Sequence, residues 1–369
     1  MGGTIYVTPE ADPIRDGIVF IQDGKVAAAS GATVPPDTEV VNCAGLTITA
    51  GFCNSHVHFF ERKWANAAAI PAAELMRQLQ DFLTRYGFTT VFDLSSPWQN
   101  TRVLRDRIES GEVPGPRIRS TGQGLLAPGV LPPEAVNNLM GLMKYPIATT
   151  ADATAAGAAA KKLVHEGVNG IKLFLKSFPV AGIAAAVAEA RRAAMPVFVH
   201  PTDGADVLAA LRAGVDVIAH TTPQSGPWDD KLLAAIKRAA LTPTLTLWKY
   251  YMRHDRLSTQ EQMTQTAVGQ LRAWIGAGGS VLFGTDLGAV EPDPAEEYAL
   301  MAAAGMSFRQ ILASLTTTPG ERFGRPMGRI AAGLDADITV LNGDPAKDIR
   351  ALADVRYTLR AGKIVYRAA

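Results

Sequence analysis

Phe52-Cys53-Asn54-Ser55-His56-Val57-His58-Phe59 reads as a strand that closes on two histidines one residue apart. A strand sends alternate side chains to the same face, so His56 and His58 can converge on one point. On their own, two such histidines fit a metal site or a pair of satisfied polar residues equally well. Their place at the end of a strand favours the metal if the strand belongs to a barrel, because functional groups there sit where strands end and loops begin.

Reading outward, the segments 89–94, 117–122, 170–174, 197–200, 215–220, 241–247 and 281–286 are further short apolar strands, and amphipathic, often Ala-rich helices separate them. Such alternation belongs to a parallel α/β arrangement. Eight strands in roughly 250 residues fit a (β/α)8 TIM barrel better than an open sheet, and the expected barrel is 50–326. The Ala-rich stretch 151–160 runs into Lys161-Lys162-Leu163 and reads as an ordinary surface helix. At the N-terminal end, Gly17-Ile18-Val19-Phe20-Ile21 is a strand followed by the turn Gln22-Asp23-Gly24-Lys25; at the other end, 336–341, 355–359 and 364–366 are strands joined by turn residues. Neither group has enough strands for its own core. The expectation is one small β-sandwich-like domain built from 1–49 and 327–369.

Lys plus Arg (36) nearly balances Asp plus Glu (35), so no broad basic face is expected for nucleic acid or an acidic membrane. The partner expected is a small-molecule substrate, with self-association into a homo-oligomer left open. With 47% hydrophobic residues the chain can bury a large core. Its two cysteines, Cys43 and Cys53, form no Cys-x-x-Cys pattern and read as reduced thiols of a cytoplasmic protein. The first ten residues lack a basic region and an unbroken apolar run, so no export signal is expected, and no span reaches transmembrane length.

Four more residues carry chemistry. Lys172 lies in the apolar run Gly170-Ile171-Lys172-Leu173-Phe174, where an unpaired ammonium is costly. A protonated lysine has no lone pair, so Lys172 must be paired, deprotonated or modified. His200 and His220 each end an apolar strand, and Asp286 ends Ser280-Val281-Leu282-Phe283-Gly284-Thr285. Asp286 as a helix cap is the alternative, but Leu287-Gly288-Ala289-Val290 is loop-like. His165 precedes Glu166-Gly167 at a helix end and is read as structural. The segment Lys249-Tyr250-Tyr251-Met252-Arg253-His254 offers a receptor for a substrate carboxylate, with Tyr250 and either Arg253 or His254 facing the site.

Taken together, the chain resembles the amidohydrolase superfamily, in its imidazolonepropionase-like and prolidase-like branch. The resemblance rests on Gly24-Lys25, on Thr49-Ala50-Gly51-Phe52-Cys53-Asn54-Ser55-His56-Val57-His58, and on Gly87-Phe88-Thr89-Thr90-Val91-Phe92-Asp93. Gly170-Ile171-Lys172, His200, His220, Gly284-Thr285-Asp286 and Gly333-Leu334-Asp335-Ala336-Asp337-Ile338-Thr339-Val340 extend it over nearly the whole length. Ala50-Gly51 stands where the family usually has Pro-Gly, a departure that touches no ligand. The resemblance implies two divalent metal ions bridged by a carboxylated Lys172. It gives His56, His58 and Asp286 to the more buried ion and His200 and His220 to the more exposed one. Imidazole and carboxylate ligands favour Zn2+, a preference shared in part by Mn, Co and Fe. A bridging hydroxide would attack the substrate carbonyl, Asp286 would carry its proton to the leaving group, and His220 would assist the oxyanion. Substrates would be dipeptides or N-acyl amino acids. Two other readings compete: a mononuclear deaminase or cyclic-amide hydrolase on the same barrel, and a barrel scaffold without catalysis. A deaminase would commonly place a Glu near the third histidine, where this chain has Pro201-Thr202-Asp203-Gly204.

Overall fold

The expected parallel strands form two sets in the computed structural model, which describes residues 1–29, 35–129, 148–236, 238–251, 255–288, 290 and 292–369. Phe52–Val57, Phe88–Asp93 and Arg117–Ser120 make one parallel set. Ile171–Phe174, Val197–His200, Val217–Ala219, Ala240–Thr242 and Ser280–Val281 follow one another in a second, with short strands Leu125–Leu126 and Ala148–Thr149 on its edge. Asn169 N donates to Ser120 O at 2.7 Å and links the third strand to the fourth. At the far side, Ser55 N donates to Phe283 O at 2.8 Å and Asp286 N to His56 O at 2.9 Å, which brings the eighth strand back against the first. This is a TIM-barrel-type α/β fold.

Alternation along each strand divides the core. Phe92, Phe198, Val217, Ala219, Ala240 and Leu282 pack on one another in one cluster. Their strand neighbours Val91, Val199, Ile218 and Leu241 join the larger cluster beneath the helices. The Ala-rich stretch is the helix Ala153–His165, capped by Asp152, whose Oδ1 accepts from Ala155 N at 2.8 Å. Small Ala156 and Ala160 are fully buried and let the helix Val180–Arg192 approach closely.

Three boundaries differ from expectation. The seventh strand stops at Thr242 and the chain re-enters a helix at Thr246–Tyr251, because Pro243 has no N–H for the ladder and the next amides are claimed by a buried Glu297. The eighth strand pairs with the seventh over Ser280–Val281, with one further bond from Leu282 N to Leu241 O at 2.9 Å, and beyond it Phe283 and Asp286 are bonded to the first strand and to Ser314. The first N-terminal run is broken at Ile18, between the strands Ile14–Gly17 and Val19–Gln22, and the first of these packs so close to Ile5 that a Cβ at Gly17 would lie 2.4 Å from Ile5 Cδ1.

The terminal strands share one sheet. Gly3–Tyr6, Ile14–Gly17 and Thr47–Ala50 come from the N-terminal side, Ile338–Leu341, Val355–Arg360 and Lys363–Arg367 from the other, with Thr49 opposite Thr339 at the seam. Ile5, Val26, Ile48, Ile338 and Val340 form its apolar core. It is fastened to the barrel strands by Gly51 N to Asp337 O at 2.8 Å, by Thr339 Oγ1 to Gly87 O at 2.8 Å, and by Arg117, which pairs with Asp335 and Asp337. Gly87 has φ +82°, and a Cβ there would lie 2.5 Å from Thr339, so the junction needs glycine. Among the described residues, no helix is long and apolar enough to cross a membrane.

Candidate metal centre

The strand ends bring the expected histidines onto Asp286. His58 Nε2 is 2.6 Å from Asp286 Oδ1, and His56 Nε2 lies 3.3 Å from the same oxygen without hydrogen-bond alignment. His220 Nε2 is 3.8 Å from Oδ2. Ligand atoms of His56, His220 and Asp286 all lie within 4.8 Å of one another, and all three side chains are buried. His200 joins by ring contact, 4.6 Å between its centroid and that of His220. Lys172 is 1% exposed and faces the same space, where its charge acts on His56, His200 and His220. Thus contacts join His56, His58, His200, His220 and Asp286, and buried Lys172 lies within electrostatic range of them. His165 is exposed in the last turn of its own helix and takes no part.

Neighbouring polar groups fix which nitrogen points inward. His220 Nδ1 meets Thr244 Oγ1 at 2.8 Å, and His56 Nδ1 meets Thr242 Oγ1 at 3.4 Å, so both rings turn Nε2 toward Asp286. Asn54 ties the first strand to the eighth: its Nδ2 donates to Thr285 Oγ1 at 2.8 Å, and its Oδ1 accepts from His56 N at 3.2 Å. Buried Asp93 accepts from Ser96 Oγ and from Ser120 Oγ, and Ser96 Oγ also accepts from Phe59 N at 2.8 Å, next to His58. Gly284 is required by closeness, since a Cβ would lie 2.7 Å from His56 Cβ. His220 (φ +110°) and Asp286 (φ +59°) both hold backbone conformations that L-residues rarely adopt.

Electrostatics match this crowding. Burial, reinforced by neighbouring cations, lowers His200 to about 3 and holds His56 and His220 well below the usual imidazole range, so their lone pairs are free. Burial works against the Asp286 carboxylate, yet His56, His220 and His58 together hold it well below the ordinary carboxylate range. Burial lowers Lys172 to about 7, against the pull of Asp286. Among the described residues of the centre, three buried side-chain atoms have no hydrogen-bond partner: His56 Nε2, His58 Nδ1 and Lys172 Nζ. Unpaired polar atoms are costly in a dry interior. A cation between imidazoles and a carboxylate suits the two histidines, and conversion of the neutral amine to a carboxylated one suits the lysine, so the residues present fit a divalent metal group.

Of the residues expected to recognise substrate, Arg253 and His254 lie outside the described residues. Tyr250 is half-buried at the end of the helix Thr246–Tyr251. The sequence reading passed over its neighbour Tyr251, whose pKa is raised by burial of the phenol and by the Asp286 carboxylate. Tyr251 is 44% exposed at the end of this helix, and its ring contacts that of Trp248, with 6.3 Å between centroids. Thr242 and Thr244 were also missed, although alternating threonines in Leu241-Thr242-Pro243-Thr244-Leu245 signal a polar inner face.

Residues 47–365 match the amidohydrolase family. No functionally curated protein matches the sequence. Among solved structures, the chain is similar to an Xaa-Pro dipeptidase with methionine bound in its active site (21% identity, 100% of this chain and 98% of that one, TM-score 0.84). It is similar also to a prolidase complexed with N-methylphosphonate-L-proline (24%, 100% and 98%, TM-score 0.79). A third is the A. niger ochratoxinase (20%, 98% and 94%, TM-score 0.76). At these identities the likeness is one of fold.

Proposed function

This chain belongs to the amidohydrolase family and is a hydrolase acting on carbon–nitrogen bonds, and we propose that it cleaves the amide of a small dipeptide or N-acyl amino acid at a binuclear centre. The observation that carries this reading is the meeting of His56, His58, His220 and Asp286 beside three orphaned buried atoms, one of them Lys172 Nζ. His56, His58 and Asp286 would hold one ion, His200 and His220 the other, and a carboxylated Lys172 would stand between them. When bound, two divalent cations, Zn2+ by ligand type, polarise the substrate carbonyl and lower the pKa of the attacking water.

The chain's own groups do the rest. Asp286 presents Oδ2 for the proton of that water, its Oδ1 being engaged by His58, and passes the proton to the leaving nitrogen. His220, locked by Thr244, offers Nε2 to the reacting oxygen. Tyr251 stays a neutral donor because its pKa is raised, and it serves the same oxygen from the mouth of the site. Tyr250 with Arg253 or His254 supplies the carboxylate receptor, two of the three on sequence grounds alone. The fold reading that goes with this is a complete (β/α)8 barrel over 50–326 and one β-domain from 1–49 and 327–369, supported by the shared terminal sheet.

The test is a hydrolysis screen of Xaa-Pro dipeptides and N-acyl amino acids with Zn-reconstituted protein, alongside metal analysis. About two metal equivalents per chain and turnover of at least one substrate class are expected. Metal-free, inactive protein after supplementation would favour a scaffold, and release of ammonia from amino-heterocycles would favour the deaminase.

A further inference from the structure

Glu297 is completely buried, and the metal chemistry has no use for it. It sits in the helix Ala295–Ala303, which follows the eighth barrel strand, yet it bonds the segment that follows the seventh. Its Oε1 accepts from Leu245 N at 2.8 Å, and its Oε2 accepts from Thr246 N at 2.8 Å and Thr246 Oγ1 at 2.9 Å. The carboxylate therefore occupies the first turn of the helix Thr246–Tyr251, satisfying amides that a short helix leaves open. A helix of six residues has no independent stability, so its position depends on what it is tied to. Among its other ties are the exposed Lys249–Glu296 pair at 2.8 Å, a bond from Trp248 Nε1 to Thr221 Oγ1 at 2.8 Å, beside His220, and the burial of Leu247 and Trp248. The first of these is a weak tether in water.

We propose that Glu297 is a positioning residue for the substrate-facing wall of the site: as a carboxylate it holds the helix Thr246–Tyr251 in place, and its protonation loosens that wall, linking substrate binding to pH. This rests on the reading that Tyr250 and Tyr251 face the substrate. Burial pushes Glu297 up to about 7, against the three donors and with a further push from Glu296. Other charged groups on the elements packed against it are engaged or turned outward. Lys249 pairs with Glu296, Arg272 donates to Ala303 O, and Arg309 donates to Pro9 O, Ala11 O and Asp12. Glu261, Asp348 and Arg350 are exposed, and the buried Tyr298 phenol is kept neutral by burial and by Asp293 and Glu297.

The sign follows from the raised value. Above pH 7 the carboxylate accepts all three bonds; as pH falls through about 7, one oxygen takes a proton and gives up its acceptor role. Global stability moves the other way, because a carboxyl with a raised folded pKa contributes stability that is present at low pH and lost as pH rises through about 7. A wall that tightens while the whole fold loses stability separates positioning from simple scaffolding.

The test follows amide exchange in the peptide spanning 244–251 of the metal-loaded protein from pH 8 to pH 6, corrected for intrinsic rates, together with kcat and KM for alanyl-proline. In the parent, protection at Leu245 and Thr246 and the affinity expressed in KM should both fall about ten-fold, with kcat changed less than about two-fold. Glu297→Gln should lack the step at any pH and keep its metal. Glu297→Asp should keep a shifted step, and it decides the matter if the amide variant does not fold. Exchange needs no turnover, so failure to cleave the dipeptide would count against the functional reading alone. A parent without the exchange step, or a Glu297→Gln protein that retains it, would overturn the proposal.

Discussion

Replacing Lys172 with methionine should make the metal-free protein more stable and the enzyme inactive. Lys172 is 1% exposed, its Nζ has no hydrogen-bond partner, and burial lowers its pKa from 10.5 to about 7. Each ten-fold change in protonation preference is worth about 1.4 kcal/mol, so at pH 7 and below the folded state without metal carries a cost of about 5 kcal/mol, an upper figure before water penetration and relaxation. Linkage fixes the pH course. The unfolded chain prefers a charged lysine below about pH 10, and the folded chain resists it down to about 7, so the cost is absent above pH 10.5, grows as pH falls, and levels off below 7. Methionine fills similar volume without charge. Urea titrations of chelator-treated parent and Lys172→Met at pH 6 and pH 10 should give the variant an advantage of several kcal/mol at pH 6 and little at pH 10. With metal and bicarbonate the order should reverse, because the parent gains binding energy that the variant cannot. An advantage independent of pH, or a variant less stable than the parent at pH 6, would refute the claim that an uncompensated amine is stored at this site.

Thr244→Val removes the partner of His220 Nδ1 and should weaken metal retention about 10- to 100-fold in a chelator competition, and the buried nitrogen left unpaired should cost the metal-free chain about 1–3 kcal/mol in denaturant titration. Gly284→Ala places a Cβ 2.7 Å from His56 Cβ and should cost about 1–3 kcal/mol in denaturant titration while lowering metal content. Tyr251→Phe should reduce kcat about 100-fold at unchanged metal content if its hydroxyl serves the reacting oxygen; normal kinetics in this variant would remove it from the site.

What the sequence disclosed was what strand periodicity controls. His56, His58, His200, His220 and Asp286 lie at or just past the C-terminal ends of short strands, and Lys172 lies within one, where alternation and an apolar flank leave little choice of direction. The same rule misjudged the seventh strand, because Leu241-Thr242-Pro243-Thr244-Leu245-Thr246-Leu247 alternates all the way through, while the structure breaks it at Pro243 and starts a helix. Glu297 supplies the missing reason from 51 and 52 residues away, and no local pattern announces such a partner. Tyr251 was overlooked for a related cause: two adjacent tyrosines at the end of a helix point about 100° apart, and the placement of that helix depends on partners distant in sequence such as Glu297 and Thr221.

These features combine into one energetic argument about the centre. His220 and Asp286 each sit at positive φ, and sparsely populated backbone of this kind costs on the order of 1–3 kcal/mol per residue. Lys172 adds a buried amine without a partner, and His56 Nε2 and His58 Nδ1 add two unsatisfied atoms. A chain selected for stability alone would have no reason to gather all of these at the mouth of one barrel. On the proposed function, the unsatisfied groups would be satisfied together when a cation accepts the histidine lone pairs and a carboxylated lysine replaces the buried amine. The centre should then be the least protected part of the metal-free protein and among the most protected parts of the loaded one. Amide exchange at the ends of the first, sixth and eighth strands should show that inversion, while exchange in the terminal sheet, whose apolar core lies apart from the centre, stays unchanged. Equal protection of the strand ends with and without metal would mean that the strain is held by the barrel itself rather than relieved by the ions.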